Sequence, residues 1–408
     1  MKRIIIVFLF CFAGMAVFAQ SANMSYYTQE YMRPTGTFTD RLEVLQNVRD
    51  AELTGIGEFY HEALKFLLLR FPDIVSIEDR NAAFESGRIL CQGLGAENYT
   101  DAAEDLWQMV QFSDVIRDVN DGLLMQDAFI AVGQVGGTEF VPHIVLRLDD
   151  FNTLQTPDVE TRRRVQRAVV GAINALETMA EPEGYRPVFF SSVGWYDPAI
   201  RSIASLALPN ILEDPGEIIA QIIRNPANNP DIKLTAWNEM LRSRAPDDSK
   251  ARVAATALEI GWIYGTNDPN FQRTLREMRM SAIDTIRIYG VEDDSVYVNL
   301  ARSYSNNFIN PAPQYDEILR TLNALSVIAT DDAVELLLSF LRELHTRRRI
   351  GPWGNRERQV MQWLMPAIGG TKTQSQEMRQ LLNTILRSND YTGAEHGWAR
   401  DALRALDS

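Results

Sequence analysis

Apolar residues recur at helical spacing through most of this chain, and the stretch from Tyr315 to Leu344 shows the pattern most clearly. It carries two apolar stripes, each with steps of three and four residues, which is the spacing of one buried face of an α-helix. The stripes are Ile318, Leu322, Leu325 and Ala329, then Val334, Leu337, Leu341 and Leu344. Between them, Thr330 can accept a hydrogen bond from the first amides of the second helix, and Asp331 and Asp332 favour its positive end. The stretch predicts a helical hairpin, which needs neighbours to bury both stripes.

Segments of this kind fill the chain from residue 40 onward, whereas the alternation typical of strands is scarce. Turn residues mark the middles of the predicted hairpins about 40 residues apart in most intervals. They are Gly55, Gly95, Gly136, Ala180, Gly290, Ala329 and Gly369. A unit of two helices with this period is the spacing of HEAT-type repeats. The sequence therefore predicts an all-α fold.

Three stretches resemble HEAT-like repeats in their residues as well as in their period. DPAIRSIASLAL (Asp197–Leu208) has an acid, a proline, a branched apolar residue, an arginine and spaced alanines, and DDSKARVAATALEIG (Asp247–Gly261) is similar. MQDAFIAVGQVGGTEFVPHIVLRL (Met125–Leu148) has a tight glycine turn before an apolar second helix. The resemblance, to a secreted bacterial type, implies an α-solenoid of about eight to nine hairpins over residues 40–408. Tetratricopeptide repeats, with a period of about 34 residues, fit less well.

The first residues have the three parts of a secretory signal peptide. Lys2 and Arg3 precede a short apolar core, and small residues lead up to Ala19. We expect residues 1–19 to be removed, which leaves 38 of the 40 basic residues against 54 acidic ones. Residues 20–39 are polar and lack a helical period, so they predict an extended or disordered arm.

The remaining composition indicates a compartment and excludes some partners. Cys91 is the one cysteine outside the signal peptide and sits on an apolar stripe, so we expect a buried thiol and no intramolecular disulfide. The acidic balance argues against nucleic-acid binding, and no later segment is long enough to span a membrane. A disulfide-free exported protein fits the bacterial periplasm, with release from the cell as the alternative.

Motifs for catalysis or cofactor binding are missing from the sequence. It contains no phosphate-binding glycine loop, no GxSxG and no HExxH, and its four histidines are far apart. Pairs of aspartates, such as Asp247–Asp248 and Asp149–Asp150, lie at predicted turns, where carboxylates usually cap helices. We therefore predict no enzyme activity, no metal and no cofactor.

Two kinds of residue stand out as candidate partner contacts. One is an aromatic group in residues 182–197, which break the period and predict an irregular insertion. The other is the second helix of the Tyr315–Leu344 hairpin, where Arg342 and Glu343 are expected to line a groove and an arginine run follows at the helix end, close to Trp353. The candidates are Trp195, Tyr196, Arg342, Glu343, Arg347, Arg348, Arg349 and Trp353. A solvated helix end that complements the helix dipole is the alternative reading of the arginine run.

These observations lead to two functional predictions. The first is a non-catalytic scaffold or adaptor that binds another envelope or periplasmic protein, since helical repeats expose long surfaces. The alternative is a closed helical toroid that binds, or acts as an enzyme on, envelope polysaccharide, for which the aromatic residues near Trp195 are the reason. A structural component that self-assembles is a third, weaker possibility.

Overall fold

The computed structural model describes residues 24–115, 122–154, 158–291 and 293–408. The predicted signal peptide, residues 1–19, lies outside the described residues. Within the described ranges the chain is helical with no strand, so the prediction of an all-α fold is confirmed. The same ranges contain no helix with both the length and the apolar character needed to cross a membrane.

The chain divides into two compact units, one up to Leu212 and the other from Glu213 to Ser408. The helices of the first are α1 (Phe38–Asp50), α2 (Gly57–Arg70), α3 (Ile77–Ala96), α4 (Ala103–Val115), α5 (Leu123–Val135), α6 (Val141–Asn152), α7 (Val159–Met179), α8 (Tyr185–Val193) and α9 (Pro198–Ile211). Those of the second are α10 (Gly216–Arg224), α11 (Pro230–Arg242), α12 (Asp247–Ile263), α13 (Pro269–Tyr289), α14 (Ser295–Ile309), α15 (Tyr315–Ile328), α16 (Asp331–Ile350), α17 (Asn355–Gly370), α18 (Gln376–Arg387) and α19 (Gly393–Asp407). Short 3-10 helices at Phe71–Asp73, Thr100–Ala102, Thr138–Phe140 and Pro182–Gly184 join some of them.

Packing in the first unit links each helix to its near neighbours in the chain. Helices α1, α3, α5, α7 and α9 contact one another in succession, and α3, α5, α7 and α9 each contact the helix just before them. Helices α5 and α7 approach closely at Gly133. A Cβ added to this glycine would lie only 2.5 Å from the Cα of Ala175. Small residues therefore set the spacing of this pair, as the spaced alanines and glycines of the sequence suggest.

Packing in the second unit follows two such series. Helices α11, α13, α15, α17 and α19 contact one another in succession, and so do α10, α12, α14, α16 and α18. The hairpin predicted from the sequence is present as α15 and α16, and the apolar stripe residues are buried apart from Ala329, which is half-buried at the end of α15. Ala329 takes the left-handed conformation with φ of 50° between them, and Thr330 caps α16 by accepting a hydrogen bond from the amide of Ala333.

The segment predicted to be an extended or disordered arm (20–39) is different in its described part. Residues 24–31 are helical, and Tyr31 is fully buried with its ring edge-on to Phe59. The guanidinium of Arg41 donates hydrogen bonds to three main-chain oxygens, at the end of this helical segment and in the turn before α1. The helical segment is too short to show an apolar period in the sequence. The buried side chains of Tyr31 and Arg41 hold it in place.

The region predicted to be an irregular insertion, residues 182–197, is also mostly helical. It forms the 3-10 helix Pro182–Gly184 and then α8, which contacts α6 and α9. Tyr185 and Phe189 are buried on the inner face of α8. The segment thus continues the helical pairing of the first unit, because its aromatic residues serve as core residues.

Candidate functional site

The last turn of α16 carries the arginine run that the sequence singles out. The helix begins with Asp331 and Asp332 and ends with Arg347, Arg348 and Arg349, so charges of the favourable sign lie at both ends of its dipole. This complementarity explains part of the run as helix stabilisation. The surroundings of each arginine differ, however, and they separate structural residues from exposed ones.

Arg342 and Glu343 are paired within the protein. The guanidinium of Arg342 donates to Glu335 on its own helix at 2.9 Å and also to Glu377 on α18. Glu343 accepts from the guanidinium of Arg347 one turn later, at 2.9 Å. Both predicted contacts therefore have intramolecular partners, and Arg342 ties α16 to α18.

Arg347 covers the end of an aromatic stack. Its guanidinium carbon lies 4.8 Å from the ring centroid of Phe308, at the end of α14. The Phe308 ring is nearly parallel to that of Tyr304, and Tyr304 lies flat on Phe340 of α16 with centroids 3.7 Å apart. These contacts hold the C-terminal ends of α14 and α16 side by side.

Arg348 is enclosed by aromatic rings and by the turn before α19. Its guanidinium carbon lies 4.9 Å from the ring of Trp353 and 5.6 Å from that of Tyr391. Its Nε donates to the main-chain oxygen of Asp390 at 2.5 Å, and Nη2 lies 3.6 Å from a carboxylate oxygen of Glu395. The side chain is 18% exposed, so Arg348 is a structural residue that fixes Trp353.

Glu395 is the buried anion of this cluster. Its carboxylate accepts from the amide of Thr392 at 2.7 Å and from Nε1 of Trp353 at 3.3 Å. Its relative exposure is 0%, and the Nε of Arg358 lies 3.5 Å away. Thr392 and Glu395 form the capping box of α19. The Glu395 carboxylate therefore caps the first turn of this helix and also faces the guanidinium groups of Arg348 and Arg358.

His345 joins the same cluster through Tyr391. Its Nδ1 lies 2.7 Å from the Tyr391 hydroxyl, and the two rings are parallel. Burial, and next the positive charge of Arg349, lower the pKa of His345. Burial also raises the pKa of Tyr391, so burial favours the uncharged form of both rings. The pair stabilises the turn that supports Arg348.

Arg349 and Ile350 are the exposed end of the helix. Arg349 is exposed and forms no ion pair within the described ranges, and Ile350 is 83% exposed. Both follow the enclosed Arg348 in the chain, and the ring of the half-buried Trp353 lies 4.9 Å from the Arg348 guanidinium. We call Arg349, Ile350 and Trp353 the α16 surface. It combines a cation, an aliphatic side chain and an aromatic ring on a rigid base.

The other two predicted contacts lie in the first unit. Tyr196 is 3% exposed and its hydroxyl donates to Asn152 at 2.9 Å, so burial removes it as a contact for a partner. Trp195 is half-buried; its indole nitrogen donates to the main-chain oxygen of Phe151 at 3.1 Å, and the guanidinium of Arg162 lies 5.9 Å from its ring. These bonds attach the segment before α9 to the end of α6.

Sequence reasoning found the arginine run and Trp353 but missed the residues that organise them. Tyr391 and Glu395 lie about one repeat later, and His345 did not stand out among the histidines. The spacing of Thr392 and Glu395 is a capping-box pattern that could have marked the start of α19. Nothing in the sequence indicated that the α19 turn would fold against Trp353.

A polar cavity is present in the first unit, between residues 24–31 and α1. It has a volume of about 330 Å³, and its lining includes Tyr26, Tyr27, Glu30 and Asn47. The two tyrosine rings meet at 66° with centroids 5.4 Å apart. Aromatic faces next to hydrogen-bonding side chains give this cavity the chemistry of a site for a polar ligand.

Metal chemistry has no support in the described ranges, where no three His, Cys, Asp or Glu side chains are placed to hold a metal ion. Cys91 is buried, and burial raises the pKa of its thiol, which makes it unreactive as a nucleophile. No family model matches the chain, and no curated protein matches it either.

Proposed function

We propose that this protein is a non-catalytic interaction scaffold of the bacterial periplasm, built from HEAT-like helical pairs, that binds a protein partner at the α16 surface. The observation that carries the proposal is the contrast between Arg348 and Arg349. The first is enclosed between two rings, whereas its neighbour is exposed without an ion pair inside the described ranges. A charge left exposed on a rigid base is available to a partner.

The chemistry of the α16 surface supports a protein partner. Tryptophan and arginine are enriched among the residues that contribute most to binding at protein interfaces. Trp353 is held by Arg348 and by the buried Glu395, so little side-chain entropy remains to be lost when a partner binds. Arg349 favours an acidic partner and would increase the rate of association. The proposed periplasmic location is based on the N-terminal sequence. The proposed repeat assignment is based on the order in which the helices of each unit contact one another.

Photocrosslinking in intact cells tests this proposal. A photoreactive amino acid replaces Arg349 in the full chain, and the matched control places it at Glu277, an exposed position on α13. We expect one discrete protein adduct at Arg349, absent at Glu277, and lost when Ile350 is also changed to Asp. Identical patterns at the two positions, or no protein adduct at Arg349, would contradict the proposal.

The second candidate function is binding of envelope polysaccharide. The cavity lined by Tyr26 and Tyr27 is a better site for such a ligand than Trp195. The indole nitrogen of Trp195 already donates to Phe151, whereas Tyr26 is 60% exposed at the cavity. Calorimetry with soluble amino-sugar oligosaccharides tests it, with Tyr26→Ala as the variant and Tyr289→Ala as the control. Heat of binding that Tyr26→Ala abolishes would favour this function, and no heat with the unaltered protein would reject it.

A further inference from the structure

The polar cavity of the first unit lies between two helical faces. Residues 24–31 contribute Tyr26, Tyr27 and Glu30, and α1 contributes Asp40, Glu43 and Asn47. The α1 residues are three and four positions apart, so they lie on one face of that helix. The cavity volume of about 330 Å³ is at the lower end of the range of small-molecule sites, about 300–1,000 Å³. The cavity therefore suits one small molecule or one unit of a polymer.

The rings of Tyr26 and Tyr27 give this cavity an aromatic lining. They meet at 66°, and the ring of Tyr27 lies 6.5 Å from that of Phe59 on α2, so it is held against the core. Tyr26 is 60% exposed, so a ligand can reach its ring. The face of an aromatic ring carries partial negative charge and attracts a cation within about 6 Å of the ring centroid. Aromatic side chains on more than one side are the means by which proteins bind quaternary ammonium groups.

The charged side chains of the cavity leave one carboxylate available to a ligand. Glu30 lies 3.6 Å from the guanidinium of Arg33, so these two charges offset each other. Asp40 accepts hydrogen bonds from the amide and the hydroxyl of Thr37, at 2.7 and 2.9 Å, and these bonds lower the pKa of Asp40. Its negative charge complements the positive end of α1. Glu43 is exposed and forms no ion pair or side-chain hydrogen bond within the described ranges.

Arg41 is a second cation next to the cavity, but its guanidinium is engaged within the protein. The residue is 5% exposed, and its guanidinium carbon lies 4.7 Å from the ring centroid of Phe66. Its three guanidinium nitrogens donate to the main-chain oxygens of Tyr31, Gly36 and Arg33. Arg41 therefore fixes the turn beside the cavity. The three carboxylates of the lining still outnumber the guanidinium groups of Arg33 and Arg41.

We propose that this cavity binds an organic cation, a protonated amine carried by a small molecule or by a sugar. Its ammonium group contacts the rings of Tyr26 and Tyr27 and the carboxylate of Glu43. The exposed amide of Asn47, which makes no side-chain hydrogen bond within the described ranges, is available to a hydroxyl group of the same ligand. The inference rests on the second candidate function, binding at this cavity, and specifies the charge of the ligand.

Calorimetry with the full chain tests this inference, at about 0.15 M salt to screen distant charges. The probes are a glucosamine disaccharide with free amines, its uncharged N-acetylated form, and choline. We expect the free amine to bind about tenfold more tightly than the N-acetylated form, which corresponds to about 1.4 kcal/mol. Binding of choline as well would support a site for small organic cations, and binding of the free amine alone would support a site for amino sugars.

Two results would overturn the inference. One is that neither cationic probe binds, and the other is that the N-acetylated disaccharide binds at least as tightly as the free amine. If the binding of the N-acetylated form is then abolished by Tyr26→Ala, the polysaccharide function stands and only the preference for a cation is rejected.

Matched variants separate binding at the cavity from attraction to the acidic protein as a whole. Glu43→Gln should weaken binding of the free amine about tenfold, whereas Glu277→Gln, at an exposed glutamate of α13, should leave it unchanged. Tyr26→Ala should weaken it about threefold or more, and Tyr26→Phe should retain it, because the ring face and not the hydroxyl attracts the cation. Equal effects of Glu43→Gln and Glu277→Gln would contradict the proposal, as would loss of binding in Tyr26→Phe.

Discussion

The second unit contains two clusters in which an arginine lies on a tryptophan beside a buried glutamate, and their differences separate a role in stability from the recognition role that we propose. Arg279 lies 3.9 Å from the ring of Trp262, donates to both carboxylate oxygens of Glu317 at 2.8 and 3.1 Å, and is 8% exposed. In the other cluster, Arg348 lies on Trp353 and is 3.6 Å from Glu395. Both glutamates are fully buried.

The surroundings of the two clusters differ. Arg279 also donates to the main-chain oxygen of Gly261 at 2.9 Å, so its guanidinium joins α12, α13 and α15 and is buried together with Glu317. The cluster of Arg348 adjoins Arg349 and Ile350, which are exposed. The same three residue types thus join helices in one place and lie next to the proposed contact surface in the other.

The largest expected effect is at the closed cluster. Glu317→Gln leaves the guanidinium of Arg279 buried without its counter-charge, and breaking such a pair costs about 3–5 kcal/mol of unfolding free energy. Urea unfolding followed by circular dichroism measures the loss. The double variant Arg279→Met with Glu317→Leu should recover most of it, since an apolar replacement removes the uncompensated charge. A loss below about 1 kcal/mol in the single variant would show that the pair is not desolvated as described.

The same change at the open cluster should cost less. Glu395→Gln weakens the capping box of α19 and the bond from Trp353, but Arg358 is half-exposed and water can solvate it. Hydrogen bonds to a charged group contribute about 1.5–3 kcal/mol, and we expect a loss within that range in the same urea assay. A loss equal to that of Glu317→Gln would contradict the distinction between the clusters.

Lys233 is a buried cation with no carboxylate partner among the residues that the structure describes. It is 1% exposed and donates to the main-chain oxygens of Ile223 and Asn225, both at 2.5 Å, and burial lowers its pKa from 10.5 to about 8. The folded state therefore loses this proton first, so the unfolding free energy should rise between about pH 8 and 10, with a slope of up to about 1.4 kcal/mol per pH unit.

Urea unfolding between about pH 7.5 and 9.5 measures that slope, in a range below the pKa of ordinary tyrosine. Lys233→Met should remove the rise, and Lys372→Met, at an exposed lysine, should keep it. If the unfolding free energy of Lys233→Met still rises with pH, another titrating group causes the rise.

A smaller effect is expected in the aromatic stack under Arg347. The hydroxyl of Tyr304 is buried with no hydrogen-bond partner in the described part of the chain, whereas that of Tyr297 lies 2.6 Å from Thr330. Tyr304→Phe should therefore leave stability unchanged or raise it, and Tyr297→Phe should lower it by about 1 kcal/mol. Thermal unfolding of the two variants compares them directly, and a clear loss for Tyr304→Phe would mean that its hydroxyl is solvated.

The helical period was sufficient to predict the all-α fold and the hairpin of α15 and α16, because their buried stripes are repeated locally in the sequence. It was insufficient for residues 24–31, whose place depends on single buried residues such as Tyr31. The candidate site was predicted in part. The arginine run is visible in the sequence, but only packing against the α19 turn separates Arg348 from Arg349.

The most direct test of the account compares stability and binding in one variant, Arg349→Glu. Because Arg349 is exposed and makes no ion pair within the described ranges, the variant should lose only the favourable interaction with the helix dipole, about 1 kcal/mol of unfolding free energy. Crosslinking from a photoreactive residue at Ile350 to the partner should be lost in the same variant. A stable protein that no longer captures its partner is the result we predict. A stable protein that captures the same partner equally well would contradict the assignment of this surface to recognition.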